Sequence, residues 1–206
     1  TERIRAIAVD KDMLEFEIRL LEKFVLTSEV IKDWRDYVNR LILDIDSVVP
    51  AYLMFSVFKI GEEAYDLEIF WRNRPTDTTK QVCESSLQQV LQRTAYFESG
   101  CSIRVRHNVA DAARIMPELG AADIDVQIKS LLVDAPKIGG IVGIGMQPQY
   151  ETDPMRLLVV QSILATLLNV VGSVQAIDKY TKDLEYYATR DPLTNLYNQR
   201  VFWELI

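Results

Sequence analysis

Hydrophobic side chains in the first quarter of the chain recur every three or four residues, a spacing that places them on one face of an α-helix. The first series is Leu14, Ile18, Leu21 and Val25, and the second is Trp34, Val38, Leu41 and Ile45. Ser28 is placed to cap the second series, because its hydroxyl can accept a hydrogen bond from a first-turn N–H group. The pattern predicts one or two helices over residues 10–48, ended by Pro50.

In the middle of the chain this spacing gives way to short runs rich in aromatic and β-branched residues, which are typical of strands. Gly61 and Pro136 each stand between two such runs, so we predict two antiparallel hairpins. The predicted strands are residues 51–60, 65–71, 103–107, 128–134 and 138–146, and the predicted helices between them are residues 79–97 and 110–119.

The last predicted element is a long helix that begins at Asp153 and Pro154, because aspartate favours the N-cap and proline the first helical position. It extends toward Pro192, over roughly 55 Å if unbroken. Its apolar stripe steps alternately three and four residues, as in the heptad seam of a coiled coil. The seam residues are Val160, Ile163, Leu167, Val170, Val174, Ile177, Thr181, Leu184 and Ala188. We expect the first half to pack on the domain and residues 177–188 to leave it as a coiled coil.

These patterns predict an α+β fold: an antiparallel sheet flanked by helices, which we place on one face, and long N- and C-terminal helices that form a coiled-coil dimer. The 206 residues suit one domain with additional segments, and 49% of them are hydrophobic, as in an ordinary globular chain. Residues 155–174 are long enough for a membrane span. Because Arg156 and several polar residues interrupt them, we predict a buried helix and no direct membrane span.

The formal net charge is −7, from 30 acidic and 23 basic residues, which argues against a general nucleic-acid-binding protein. The start of the chain is charged and has no apolar run, so we expect no signal peptide and a cytoplasmic protein. Cys83 and Cys101 form no C-x-x-C pair. Free thiols in a reducing compartment are therefore favoured over a disulfide.

Few residues suggest ligand or catalytic chemistry. The glycines Gly139, Gly140, Gly143 and Gly145 match no phosphate-binding motif and are interpreted as hairpin glycines. His107, the single histidine, is expected in a surface strand or loop, and Asp123 and Asp125 lack a third metal ligand. Candidates for a pocket between the sheet and its helices are Phe55, Phe58, Trp71 and Phe97. Packing in the core is the favoured role of these four aromatic residues.

The order of predicted elements over residues 28–175 resembles that of a GAF domain. The resemblance is carried by the helix before strand 51–60, the middle helix, and the late strand pair that leads into a long helix. GAF domains are sensor modules, and some hold haem through a histidine or attach a bilin through a cysteine. The resemblance thus makes His107, Cys83 and Cys101 candidates for such a role, although a structural role is favoured for each.

Residues 191–202 read D-P-L-T-N-L-Y-N-Q-R-V-F. This segment resembles the opening of a GGDEF, or diguanylate cyclase, domain, which reads D-x-L-T-G-L-x-N-R-R-x-F after a coiled-coil helix. The matching residues are Asp191, Leu193, Thr194, Leu196, Asn198, Arg200 and Phe202. Asn195 replaces a glycine, and asparagine also tolerates a left-handed backbone. Gln199 replaces the first arginine.

The two resemblances imply four segments: an N-terminal helix (1–27), a GAF-like sensor domain (28–175), a coiled-coil signalling helix (176–190) and the start of a GGDEF domain (191–206). They imply a regulatory sensor and dimerisation module of a bacterial diguanylate cyclase. Such an enzyme makes cyclic di-GMP from two GTP molecules with Mg²⁺. The family's catalytic and metal-binding residues follow its opening motif, so no catalytic or metal-binding residue is assigned here. We do not expect this chain by itself to be active.

The expected partner is a second copy of the chain, bound through the helices. Two other functions stay open. One is a GAF module that binds a small molecule or chromophore of unknown identity, and the other is a ligand-free structural dimer adaptor.

Overall fold

The structure is a computed structural model that describes residues 32–60, 64–94, 97, 100–134, 137–146, 154–191, 194 and 196–198. The elements are α1 (Trp34–Asp44), β1 (Ala51–Ile60), β2 (Ala64–Arg74), α2 (Asp77–Gln92), β3 (Ser102–Ile115), β4 (Asp125–Asp134), β5 (Lys137–Met146) and α3 (Pro154–Thr189). Short 3-10 turns lie at Ile45–Ser47 and Ala121–Asp123. The predicted helical series from Leu14 to Val25 lies outside the described residues.

The five strands form one sheet in the order β3-β2-β1-β5-β4. The hairpins β1–β2 and β4–β5 are antiparallel, as predicted, and β1 also pairs with β5 in the antiparallel sense. The α+β class is therefore confirmed. The fully antiparallel sheet is wrong, because β3 runs parallel to β2. Helix α2 connects these two strands and carries the chain back to the end of the sheet where β2 began, as a parallel pair requires.

The predicted helix over residues 110–119 is also wrong, because β3 continues through this segment to Ile115. Its residues pair with the end of β2, where Asn73 lies opposite Asp111 and Arg74 opposite Ile115. The alanines here favour a helix locally, and pairing with a distant strand overrides that preference.

The prediction that helices flank the sheet is confirmed, but they cover both faces, so their placement on one face is wrong. Helices α1 and α3 pack against Met54, Phe58, Phe70, Val142 and Ile144; we call this side the α1/α3 face. Helix α2 packs on the other side, the α2 face, against Leu53, Phe55, Leu67, Ile69 and Trp71. The cause is the central position of β1, in which every residue from Leu53 to Phe58 is buried.

The glycines of β5 lie within the strand and make room for aromatic rings of β1. Gly140 is paired with Phe58 and Gly143 with Phe55, and each ring lies across its glycine. A Cβ at either position would overlap that ring. Glycine is therefore required here by close approach rather than by a turn.

Helix α3 begins at Pro154, as the capping signals predict, and continues for 36 residues. The segment Arg156–Thr189 is long and apolar enough to cross a membrane by length and composition, and 56% of its most apolar window is buried inside the domain. A core helix of a soluble protein meets the same criteria, so this helix is weak evidence for a membrane span.

We predict that Gly143→Ala destabilises the fold by about 1–3 kcal/mol, because the new methyl group overpacks the core against Phe55. The added carbon would also lie 3.0 Å from the backbone oxygen of Gln127. Gly120→Ala is the matched control, since its nearest neighbour would be Asp123 Oδ2 at 3.4 Å. Urea unfolding of the two variants and the parent measures the difference. Equal loss of stability in both variants would contradict the close-approach interpretation.

Candidate functional site

The inner half of the predicted seam is part of the domain core. Val160, Ile163, Leu167 and Val170 are fully buried on the α1/α3 face, and Val174 packs partly buried at its margin. These side chains face the sheet and α1 of the same chain. They are therefore committed to packing within the chain.

The outer half of the seam is exposed. Ile177 is 42% exposed and Leu184 is 69% exposed, and Thr181 and Ala188 are also exposed. Two tyrosines on this half of the helix are exposed as well, Tyr180 at 51% and Tyr187 at 66%, and the heptad pattern did not identify them. Each lies three residues after a seam residue and thus beside it on the helix. The outer half of α3 thus projects a stripe of apolar and aromatic side chains, bordered by charged residues such as Asp178 and Lys182.

Residues of the GGDEF-like motif form a compact joint at the end of α3. Asp191 Oδ1 accepts hydrogen bonds from the Thr194 backbone N–H (2.9 Å) and hydroxyl (3.0 Å). Asn198 Nδ2 donates to the Ala188 carbonyl (2.6 Å), and its backbone N–H donates to the Thr189 carbonyl (2.9 Å). The last carbonyls of a helix lack partners within it. Asn198 therefore caps α3 from outside the helix.

Two further contacts hold this joint. Arg190 and Tyr197 form an antiparallel backbone bridge, and the Arg190 guanidinium lies 4.8 Å from the centre of the Tyr197 ring. The Asp191 N–H donates to the Leu196 carbonyl at 2.8 Å. The motif residues Leu193, Arg200 and Phe202 lie outside the described residues. Within the described part, the joint turns the chain back along the end of α3.

The structure does not bring the four aromatic pocket candidates together. Phe55 and Trp71 are fully buried on the α2 face, whereas Phe58 is buried on the opposite face of the sheet. Phe97 packs against Tyr65 with ring centres 4.9 Å apart. It also lines a surface groove of about 530 Å³ at the end of α2. The other groove residues are Gln88, Gln92, Gly100, Cys101 and Ile103.

Neither Cys83 nor Cys101 is in a disulfide bond. Burial, with a smaller contribution from Glu84, raises the pKa of Cys83 to about 12. A thiol must ionise to act as a nucleophile, so Cys83 is poorly suited to attach a chromophore. Cys101 is partly exposed in the groove beside Phe97.

The aspartates and the histidine have structural contacts. Backbone carbonyls of Asp123 and Asp125 lie within 3.3 Å of the Tyr52 hydroxyl, which can donate to either. Burial of this phenol raises its pKa well above the usual range. In the described ranges, no three His, Cys, Asp or Glu side chains are grouped to hold a metal ion. His107 is half-buried on the α2 face between Trp71 and Glu84.

A buried carboxylate joins α1 to the sheet. Glu68 Oε1 accepts from Arg35 Nη2 at 2.6 Å and from Arg106 Nη1 at 3.0 Å, and Oε2 accepts from Asn108 Nδ2 at 2.9 Å. Asn108 and both arginines thus satisfy a carboxylate that is only 6% exposed. The two arginines are partly solvated, so the cluster fits a structural bridge from α1 to β3.

Comparison of the chain with protein-family models, with curated proteins and with solved structures finds no match.

Proposed function

We propose that this chain is a cytoplasmic regulatory sensor and dimerisation module of a diguanylate cyclase. The observation that carries the proposal is the division of α3. The first half of the helix packs in the core, and the second half exposes the apolar seam residues. Its end is capped by Asn198, a residue of the GGDEF-like motif. One continuous helix thus connects a domain core to the start of the segment that resembles a catalytic domain.

The packing of α3 supports transmission of a signal. The helix packs on β5, β4 and β1 and also contacts α1. A rearrangement of these strands would move or rotate the inner half, and the outer half would move with it because the helix is unbroken. A ligand would act by binding one arrangement more tightly than the other.

The exposed seam supports a second copy of the chain as the partner. In a heptad assignment with Val174, Thr181 and Ala188 at position a, Ile177 and Leu184 occupy position d. Pairing with an identical helix would bury these exposed side chains against each other. Val174 contributes less, because it already packs partly on the core.

The charges beside the seam favour a parallel arrangement of the two helices. In this assignment Asp178 and Glu185 occupy e positions, and Tyr180 and Tyr187 occupy g positions. An antiparallel pair would place Asp178 opposite Glu185 of the other copy, which is repulsive. A parallel pair instead places Tyr180 near Glu185 of the other copy, where the hydroxyl can donate to the carboxylate. A parallel pair would also bring the joints at the ends of the two α3 helices to the same end of the dimer.

The proposed activity of the full protein follows from the GGDEF resemblance. Each cyclase domain would hold one GTP with Mg²⁺, and condensation to cyclic di-GMP requires two domains face to face. The parallel helices would set the distance and rotation between those domains. The catalytic residues belong to the proposed downstream segment, and the regulatory role belongs to α3.

The groove beside Phe97 supports a second candidate function, the binding of a small molecule. It has a volume of about 530 Å³ and offers the amides of Gln88 and Gln92 as donors and acceptors. A ligand that co-purifies would appear as added mass or as visible absorbance. A third candidate, a ligand-free dimer adaptor, would share the seam and show neither.

We predict that Ile177→Glu and Leu184→Glu each weaken dimerisation at least about tenfold. Each dimer loses two buried apolar side chains, worth about 1.5 kcal/mol or more apiece. Lys179→Glu is the control, because it introduces the same side chain on the opposite side of the helix. Sedimentation equilibrium gives the dissociation constants, and circular dichroism checks that the domain stays folded. An unchanged dimer in both seam variants would rule out the seam as the interface.

We predict that Ala188→Cys, in a background with Cys83 and Cys101 replaced by serine, forms a disulfide between the two copies under mild oxidation. In a parallel dimer, both copies of residue 188 meet at one end of the seam, close enough for a disulfide. In an antiparallel pair they lie at opposite ends, so little cross-linked dimer would form. Non-reducing electrophoresis distinguishes the two arrangements.

We predict that the full-length native protein makes cyclic di-GMP from two GTP molecules in the presence of Mg²⁺. We expect Leu184→Glu to lower this activity at least about tenfold, in line with its effect on the dimer, and Lys179→Glu to leave it nearly unchanged. Chromatography of the reaction products measures the yield. A native continuation without a GGDEF sequence would overturn the cyclase assignment, even if the dimer were confirmed.

A further inference from the structure

Three side chains form a hydrogen-bonded chain across the α2 face. Trp71 of β2 donates its indole N–H to His107 Nδ1 at 2.9 Å, and His107 Nε2 lies 2.9 Å from Glu84 Oε1 of α2. The Trp71 and His107 rings are nearly parallel, with centres 6.0 Å apart. His107 of β3 thus connects the packed sheet to the helix that covers it.

The chemistry of the indole determines where the histidine carries its proton. Trp71 can only donate, so Nδ1 of His107 must present a lone pair to accept that hydrogen bond. The proton of the neutral ring is then on Nε2, which donates to the Glu84 carboxylate. This contact network therefore selects one neutral tautomer of His107.

A second proton on His107 would have opposite effects on the two contacts. The imidazolium carries N–H groups on both nitrogens, so Nδ1–H would face the indole N–H and that hydrogen bond would be lost. The contact with Glu84 would gain charge and become stronger. Trp71 is fully buried, so the loss leaves a donor without its partner in the core of this face.

Among the charged groups near the His107 ring, Glu84 is the one in direct contact with it, because the others pair elsewhere. On α2, Lys80 one turn earlier pairs with Asp77, and Cys83 is buried. On β3, Arg104 and Arg106 pair with Asp66 and Glu68 of β2.

More distant charges on this side are Asp111 and Glu118. Asp111, four residues further along β3, pairs with Arg114 at 3.5 Å. Glu118 is exposed on the segment that follows β3.

We propose that His107 is a pH-sensitive switch between the sheet and α2. In the neutral state it links Trp71 to Glu84. Acidification breaks the hydrogen bond from the Trp71 indole and turns the contact with Glu84 into an ion pair. Through this ring, β3 is then held less strongly to β2 and more strongly to α2. The inference does not depend on the proposed cyclase function, since all three residues lie within the described domain.

NMR of the ¹⁵N-labelled chain from about pH 8 to about pH 5, the interval in which histidine side chains titrate, tests the switch. The chain has one histidine and three tryptophans, and Trp71→Phe identifies the Trp71 indole signal. We expect the Nε2–H tautomer at the upper end. As pH falls, the Trp71 indole and His107 ring signals should shift with one midpoint.

Two variants test the separate contacts. In His107→Gln the amide oxygen can still accept from Trp71 but does not titrate, so the indole signal should stay constant with pH. In Glu84→Gln the hydrogen bond can persist without the negative charge, so protonation of the ring should require a lower pH than in the parent. An unchanged midpoint in Glu84→Gln would overturn the coupling to α2.

Measurements on the unmodified protein also test the switch, and they do not depend on whether a variant folds. An Nδ1–H tautomer at about pH 8 would overturn the proposal, because Trp71 could not then donate to that nitrogen. So would a His107 that stays neutral down to about pH 5. Titration of His107 with no movement of the Trp71 indole signal would overturn it as well.

Discussion

The burial of strand β1 on both of its faces is the constraint on which the rest of the structure depends. Its side chains from Leu53 to Phe58 are all removed from water, so each face of the sheet requires its own cover. Helices α1 and α3 cover one face and α2 covers the other. The glycines of β5 belong to the same arrangement, because the aromatic rings of β1 lie across them. A change in the packing of α3 is therefore felt at the centre of the sheet.

Sequence patterns identified the elements whose signals are local. Strand β1 has the predicted bounds, and α3 begins at Pro154 because capping preferences act within a few residues. The course of β3 could not be found in this way. Its last residues have a local preference for a helix, and pairing with Asn73 and Arg74, which are distant in sequence, determines their strand conformation. The direction of β3 relative to β2 likewise depends on how α2 packs.

The parts of the candidate site that have a local sequence signal could be predicted, and the parts that depend on distant contacts could not. Heptad spacing identified Ile177 and Leu184, which the structure places on the projecting half of α3, whereas Tyr180 and Tyr187 were missed because they lie beside the seam. Phe55 and Phe58 are three residues apart, and strand alternation alone should have separated them to opposite faces. The chain from Trp71 through His107 to Glu84 had no sequence signal, since it joins two strands and a helix.

The division of α3 also has a consequence for the strength of the proposed association between two copies. The seam residues up to Val170 are buried in the core of the domain. Only residues 174–188, a little more than two heptads, are left to pair with a second helix. Isolated helices of about 12–15 residues are only marginally stable in water. A coiled coil this short has little stability of its own, so the folded domain must hold its first turn in place. Monomer and dimer would then be close in free energy, and a modest event in the domain could decide between them.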